Sequence, residues 1–114
     1  MKLVLVSIIG TFILISGCKK LDLKEDVPSC IENKIKDISK ENKWNPPAEV
    51  WKWVANGEVY YYFTSNCCDE FNFVYDENCN LICAPDGGIA GNGDGNCPDL
   101  EMESVKSLVW KDNR

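Results

Sequence analysis

Cys67 and Cys68 stand side by side in the stretch TSNCCDEFN, in a chain of 114 residues that has seven cysteines and no histidine. Thiols at that spacing can bind a metal, cycle as a redox pair, close a ring with each other, or staple two distant segments. A four-cysteine zinc site fits some of the spacings, Cys79-x-x-x-Cys83 among them, but its thiolates would have to survive an oxidising compartment. A redox pair is usually Cys-x-x-Cys, and that spacing does not occur. A ring between neighbours brings the Cα atoms closer than disulfides prefer. In extended backbone, adjacent side chains point to opposite faces. The pair is therefore read as two separate staples, back to back.

Oxygen donors are the second chemistry on offer. The run Asp86 to Asp99 carries Asp86, Asn92, Asp94, Asn96 and Asp99 in a glycine-rich loop, with Glu103 beyond it. Counted as a calcium loop from Asn92, it lacks the first Asp, and Cys97 sits where the sharp turn needs Gly. The glycines also miss the dinucleotide fingerprint, because Asn96 takes the third Gly position. A solvated loop closed by Cys97 is expected, with no metal and no cofactor. Adjacent carboxylates such as Asp69 and Glu70 could do acid and base work, but neighbours on a strand diverge. Without histidine, and with its cysteines bridged, the chain pairs no nucleophile with a base, so no enzyme activity is expected.

The compartment follows from the first residues. MKLVLVSIIGTFILISGCKK has a basic start, an apolar run from Leu3 to Ile15 and small residues before Cys18, the order of a secretory signal peptide. The run is shorter than the roughly 18 residues of a membrane span. Ile15-Ser16-Gly17-Cys18 resembles the lipobox of bacterial lipoproteins, which implies cleavage before Cys18 and acyl chains, palmitate among them, on that cysteine. Residues 1–17 are thus read as signal peptide, 18–28 as a lipidated tether, and 29–114 as one domain. No Asp follows Cys18, which favours the outer membrane, with the domain periplasmic or surface-exposed. Setting Cys18 aside leaves Cys30, Cys67, Cys68, Cys79, Cys83 and Cys97, an even number that reads as three disulfides with 15 connectivities.

These residues need elements to position them. Ser29-Cys30-Ile31-Glu32 has capping-box spacing, and Ile31, Ile35 and Ile38 follow on one helical face, which predicts a helix from about Ser29 to Glu41. Pro46-Pro47 prevents its continuation. EVWKWVANGEVYYYFT reads as a hairpin about Asn56-Gly57. Counting outward pairs Trp53 with Tyr60 and Trp51 with Tyr62 on one face, and Val54 with Val59 and Val50 with Phe63 on the other. A second hairpin in FNFVYDENCNLICA turns at Asp76-Glu77-Asn78 and places Cys79 where a left-handed residue is wanted. SVKSLVWKD reads as a last strand, with a helix from Leu100 as the competitor. The expected fold is α+β: one helix packed on an antiparallel sheet of four or five strands, stapled by disulfides. Cys67 and Cys68 are expected to reach Cys83 and Cys97, leaving Cys30 to join Cys79.

The lipobox, the Cys-led helix, and the CCDEFN, NLICAPDGG, GNGDGNCPD and LVWKD blocks together resemble a family of short, functionally uncharacterised lipoproteins of Bacteroidetes-type bacteria. The resemblance implies localisation and domain extent, and no activity. Candidate partner-binding residues are Trp51, Trp53, Tyr60 and Tyr62 on one face of the first hairpin and Tyr61 on the other, suited to sugar rings or a protein partner. The chain has 12 basic and 18 acidic residues. Loss of the leader removes Lys2 and makes the balance more negative, which argues against nucleic acid. The expected role is a non-catalytic envelope lipoprotein that binds a protein or glycan. The alternative is a protease inhibitor presenting the glycine-rich loop 84–96.

Overall fold

The computed structural model describes Gly10 and residues 21–98 and 104–114. Cys18, the leader apart from Gly10, Asp99, Leu100 and Glu103 lie outside the described residues. Helix α1 spans Ser29–Lys40, and five strands follow: β1 Glu49–Ala55, β2 Glu58–Phe63, β3 Phe71–Asp76, β4 Leu81–Gly87 and β5 Val105–Lys111. They form one antiparallel sheet in the order β4-β3-β2-β1-β5. This is the expected α+β architecture, with the last segment a strand.

The isoleucine stripe makes the helix: Ile31 and Ile35 are fully buried, and Ile38 packs beside them. The expected capping box does not form. Pro28, with φ of −54° and ψ of 147°, takes the N-cap place, and its carbonyl accepts from the amides of Ile31 and Glu32, each at 3.0 Å. Ser29 thereby becomes the first helical residue, one place past the position from which a side chain caps. Glu32 pairs instead with Lys36 at 3.3 Å. At the other end, the Arg114 guanidinium donates to the carbonyls of Ser39 and Glu41, groups a helix terminus leaves without a partner. Asp112, 2% exposed, holds that guanidinium. Its hydrogen bonds from Arg114 keep its carboxyl below the ordinary range.

The first hairpin turns at Asn56 and Gly57, both at positive φ (53° and 76°), and its register is the expected one. The second turn is built on Asp76, whose carboxylate accepts from the amides of Asn78 and Asn80 and from the Asn80 side chain, each at 2.9 Å. Cys79 adopts φ of 62° there. A side chain is kept where glycine would cost less because its sulfur bridges to Cys30 and pins the helix to the sheet.

The other two bridges correct the expected pairing. Cys83 joins Cys97, and Cys67 joins Cys68. The reason lies in where β4 runs. Cys83 is buried on the sheet face away from α1, beneath the glycine-rich loop that carries Cys97, whereas Cys67 and Cys68 are exposed in the turn between β2 and β3. That turn is not extended, so the alternation that would send two sulfurs apart does not apply.

Five strands at about 4.8 Å spacing make a sheet roughly 19 Å across, while a helix with its side chains covers about 10 to 12 Å. One helix cannot close the face. On the β5 side a second segment completes it: Leu21, Leu23 and Val27 pack into the same core, the Lys24 amide donates to the Val109 carbonyl at 2.8 Å, and Glu25 accepts from the Ser107 hydroxyl. Within the stretch read as a tether, residues from Leu21 onward form a strap laid on the domain. On the β3 side nothing equivalent is present among the described residues.

The opposite face holds a smaller cluster of Trp53, Ala55, Val74 and Cys83. Here the loop after β4 doubles back along its own strand. The amides of Gly93 and Asp94 donate to the carbonyls of Gly87 and Ala84 at 3.0 and 2.9 Å, pairing backbone that an edge strand would leave open. Gly93 is required for that approach, since a Cβ would collide with the Ala84 carbonyl.

Candidate functional site

The uncovered β3 side of the helix face forms a groove of about 780 Å³ between α1, β3 and the 64–70 turn. Alternation along Phe71-Asn72-Phe73-Val74-Tyr75 sends the three aromatic rings to this face, with Val74 buried on the other. The rings make a ladder: Phe71 and Phe73 are 6.0 Å apart at their centroids, Phe73 and Tyr75 6.4 Å. Phe63 meets Tyr75 edge to face at 5.5 Å. Phe71 is 38% exposed, the most accessible rung. Burial pushes the Tyr75 phenol above its ordinary pKa.

Charge surrounds these rings unevenly. Lys34 places its ammonium 4.2 Å from the Tyr75 centroid. Four carboxylates line the same groove: Asp37 and Glu41 from the helix side, Asp69 and Glu70 from the turn that holds the Cys67–Cys68 ring. Trp44 donates its indole N–H to Glu41 at 2.8 Å, which holds another aromatic at the rim. The turn is fixed by the Ser65 amide donating to the Asn72 side chain at 2.8 Å and by the Glu70 amide donating to the Cys67 carbonyl at 3.1 Å.

The aromatic residues singled out in the sequence fare differently. Trp51, Trp53, Tyr60 and Tyr62 do share one face, away from the helix, but their groups are largely engaged. Trp53 stacks on Tyr62 at 4.9 Å and 13°, lies beneath the Lys106 ammonium at 4.2 Å, and is 3% exposed. The Tyr62 hydroxyl donates to both oxygens of Asp86, at 2.9 and 3.0 Å, and Asn72 donates to the same carboxylate at 2.7 Å. Tyr60 donates to Glu58. Tyr61 is not a surface residue: it packs under the helix at 2% exposure, and burial raises its phenol pKa.

The loop donors are also dispersed. Asp86 serves Tyr62 and Asn72, while Asp94 accepts from the Asn96 amide at 2.9 Å. Among the described residues no three carboxylates or thiols converge on one point that could hold a metal. Sequence reasoning missed the groove residues Trp44, Phe71, Phe73 and Tyr75. The i, i+2, i+4 spacing of Phe71, Phe73 and Tyr75 was the available signal, but it does not say which face the helix leaves open.

No curated protein and no solved structure matches the chain. A family profile matches residues 36–112, about two thirds of the sequence and all five strands, and it is described as a domain of unknown function. The chain belongs to that family, DUF6970.

Proposed function

We propose that this protein is a non-catalytic lipoprotein of the bacterial cell envelope, of the Bacteroidetes type, that binds a protein or glycan partner through the groove beside β3. It carries acyl chains on Cys18 and sits in the outer membrane. The observation that carries the binding role is the Phe71–Phe73–Tyr75 ladder, left open where α1 is too narrow for the sheet, with hydrogen-bonding carboxylates around it. Aromatic side chains flanked by polar groups are the usual makeup of a recognition surface. The disulfides and the lipobox agree with an exported location.

Protease inhibition draws less support. Such a loop must project, and residues 84–87 are instead strand β4, with Gly93 and Asp94 tied back to it. Screening the mature chain in detergent against a glycan array, a peptide library and a protease panel tests the reading. A hit abolished by Phe71→Ala supports it, while potent protease inhibition with no other hit overturns it. Intact-mass measurement on membrane fractions tests the anchor: an unmodified Cys18 would overturn that part.

A further inference from the structure

We propose that the occupant of the groove is a cationic, arginine-bearing stretch of polypeptide, its guanidinium stacked on the β3 rings and paired with the rim carboxylates. This deepens the binding role proposed above and rests on it. Two observations point the same way. Against one lysine, Lys34, the groove carries Asp37, Glu41, Asp69 and Glu70, an excess of three negative charges. The ring face is already occupied by a cation, since the Lys34 ammonium rests 4.2 Å from the centre of Tyr75. The protein thus displays on itself the contact it would offer a partner, a positive charge over an aromatic ring.

Other occupants fit less well. A second copy of the chain brings a net charge of −6 to an acidic rim. A neutral glycan uses the rings but leaves the excess carboxylates unanswered. Guanidinium suits both halves of the site, because it is planar, stacks on rings and forks onto carboxylates, where an ammonium is a point charge.

Lys34 then competes with the ligand for Tyr75, and this separates the proposal from a merely acidic surface. The test is calorimetric titration of the full chain in detergent with an end-capped hexapeptide alternating glycine and arginine. The lysine and glutamine versions and a neutral hexose oligosaccharide serve as comparisons. The arginine peptide is expected to bind most tightly and to weaken with added salt. Lys34→Gln should tighten it roughly two- to fivefold, the worth of the cation–ring contact it removes. Asp69→Asn with Glu70→Gln, both on an exposed turn, should weaken it roughly three- to tenfold. Circular dichroism on each variant verifies the fold.

Equal binding of the arginine and glutamine peptides overturns the proposal, as does an affinity that Lys34→Gln leaves unchanged. Oligosaccharide binding that Phe71→Ala abolishes, without peptide binding, overturns the cationic occupant and leaves the groove a binding site. Silence from every ligand in this titration and in the wider screens overturns both.

Discussion

The two faces of the sheet solve the same covering problem with different materials. One is buried under a helix and a strap, and its cover runs out along β3 toward the exposed Phe71. No helix among the described residues covers the other. Trp53 and Tyr62 there are covered by one another, by Lys106 over the tryptophan and by the hydrogen bonds that join Tyr62 and Asn72 to Asp86, with the glycine-rich loop clipped alongside. Trp53 and Tyr62 are thus held by their neighbours, while Phe71 on the helix face is left 38% exposed. Aromatic content does not mark a recognition surface by itself; what matters is whether the rest of the chain is wide enough to cover it.

Disulfide removal separates the faces most sharply. Replacing Cys30 and Cys79 by serine opens a constraint across 49 residues, worth about 4 kcal/mol in the chain-entropy picture. In urea denaturation this variant should lose the most stability, and the helix should detach from the β3–β4 turn. Replacing Cys83 and Cys97 relaxes a separation of only 14 residues, worth about 3 kcal/mol. Its signature is local: hydrogen exchange at the Gly93 and Asp94 amides should accelerate while the β1 and β2 amides stay protected.

A pH series probes the helix face from its other end. The folded pKa of Asp112 lies below the ordinary 3.8, chiefly through its hydrogen bond from Arg114. Its contribution is therefore complete above that ordinary value and is lost as pH falls through the folded one. Asp112→Asn should be less stable than the parent at neutral pH, and the two curves should converge in acid. A gap that holds constant to low pH would assign the effect to packing alone. The smallest effect belongs to Cys67→Ser with Cys68→Ser. A ring between neighbours closes almost no loop, so roughly 1 kcal/mol is expected, and the groove turn should loosen without either face opening.

Much of this architecture was legible in the sequence because it depends on local rules. Asn56-Gly57 set the first hairpin and its register, the isoleucine spacing set α1, and the oddity of Cys79 at a left-handed position pointed to its bridge. The misses were failures of reach. Ser29 looked like a cap until Pro28 took its place. Cys67 and Cys68 looked like staples on the assumption of extended backbone, which the turn does not have. The β3 ladder was visible as an alternating pattern, but its exposure depends on the lateral position of a helix fixed by a distant disulfide and by Arg114. No window of sequence contains that information.

The strap has a mechanical consequence. If Cys18 bears the proposed lipid, only Lys19 and Lys20 stand between the anchored residue and Leu21, which is already packed into the domain. Three residue steps span at most roughly 10 Å. The domain would then ride close against the bilayer instead of swinging on a leash, with its β5 flank toward the lipid. The β3 groove would lie across the sheet from that flank, with β1 and β2 between them.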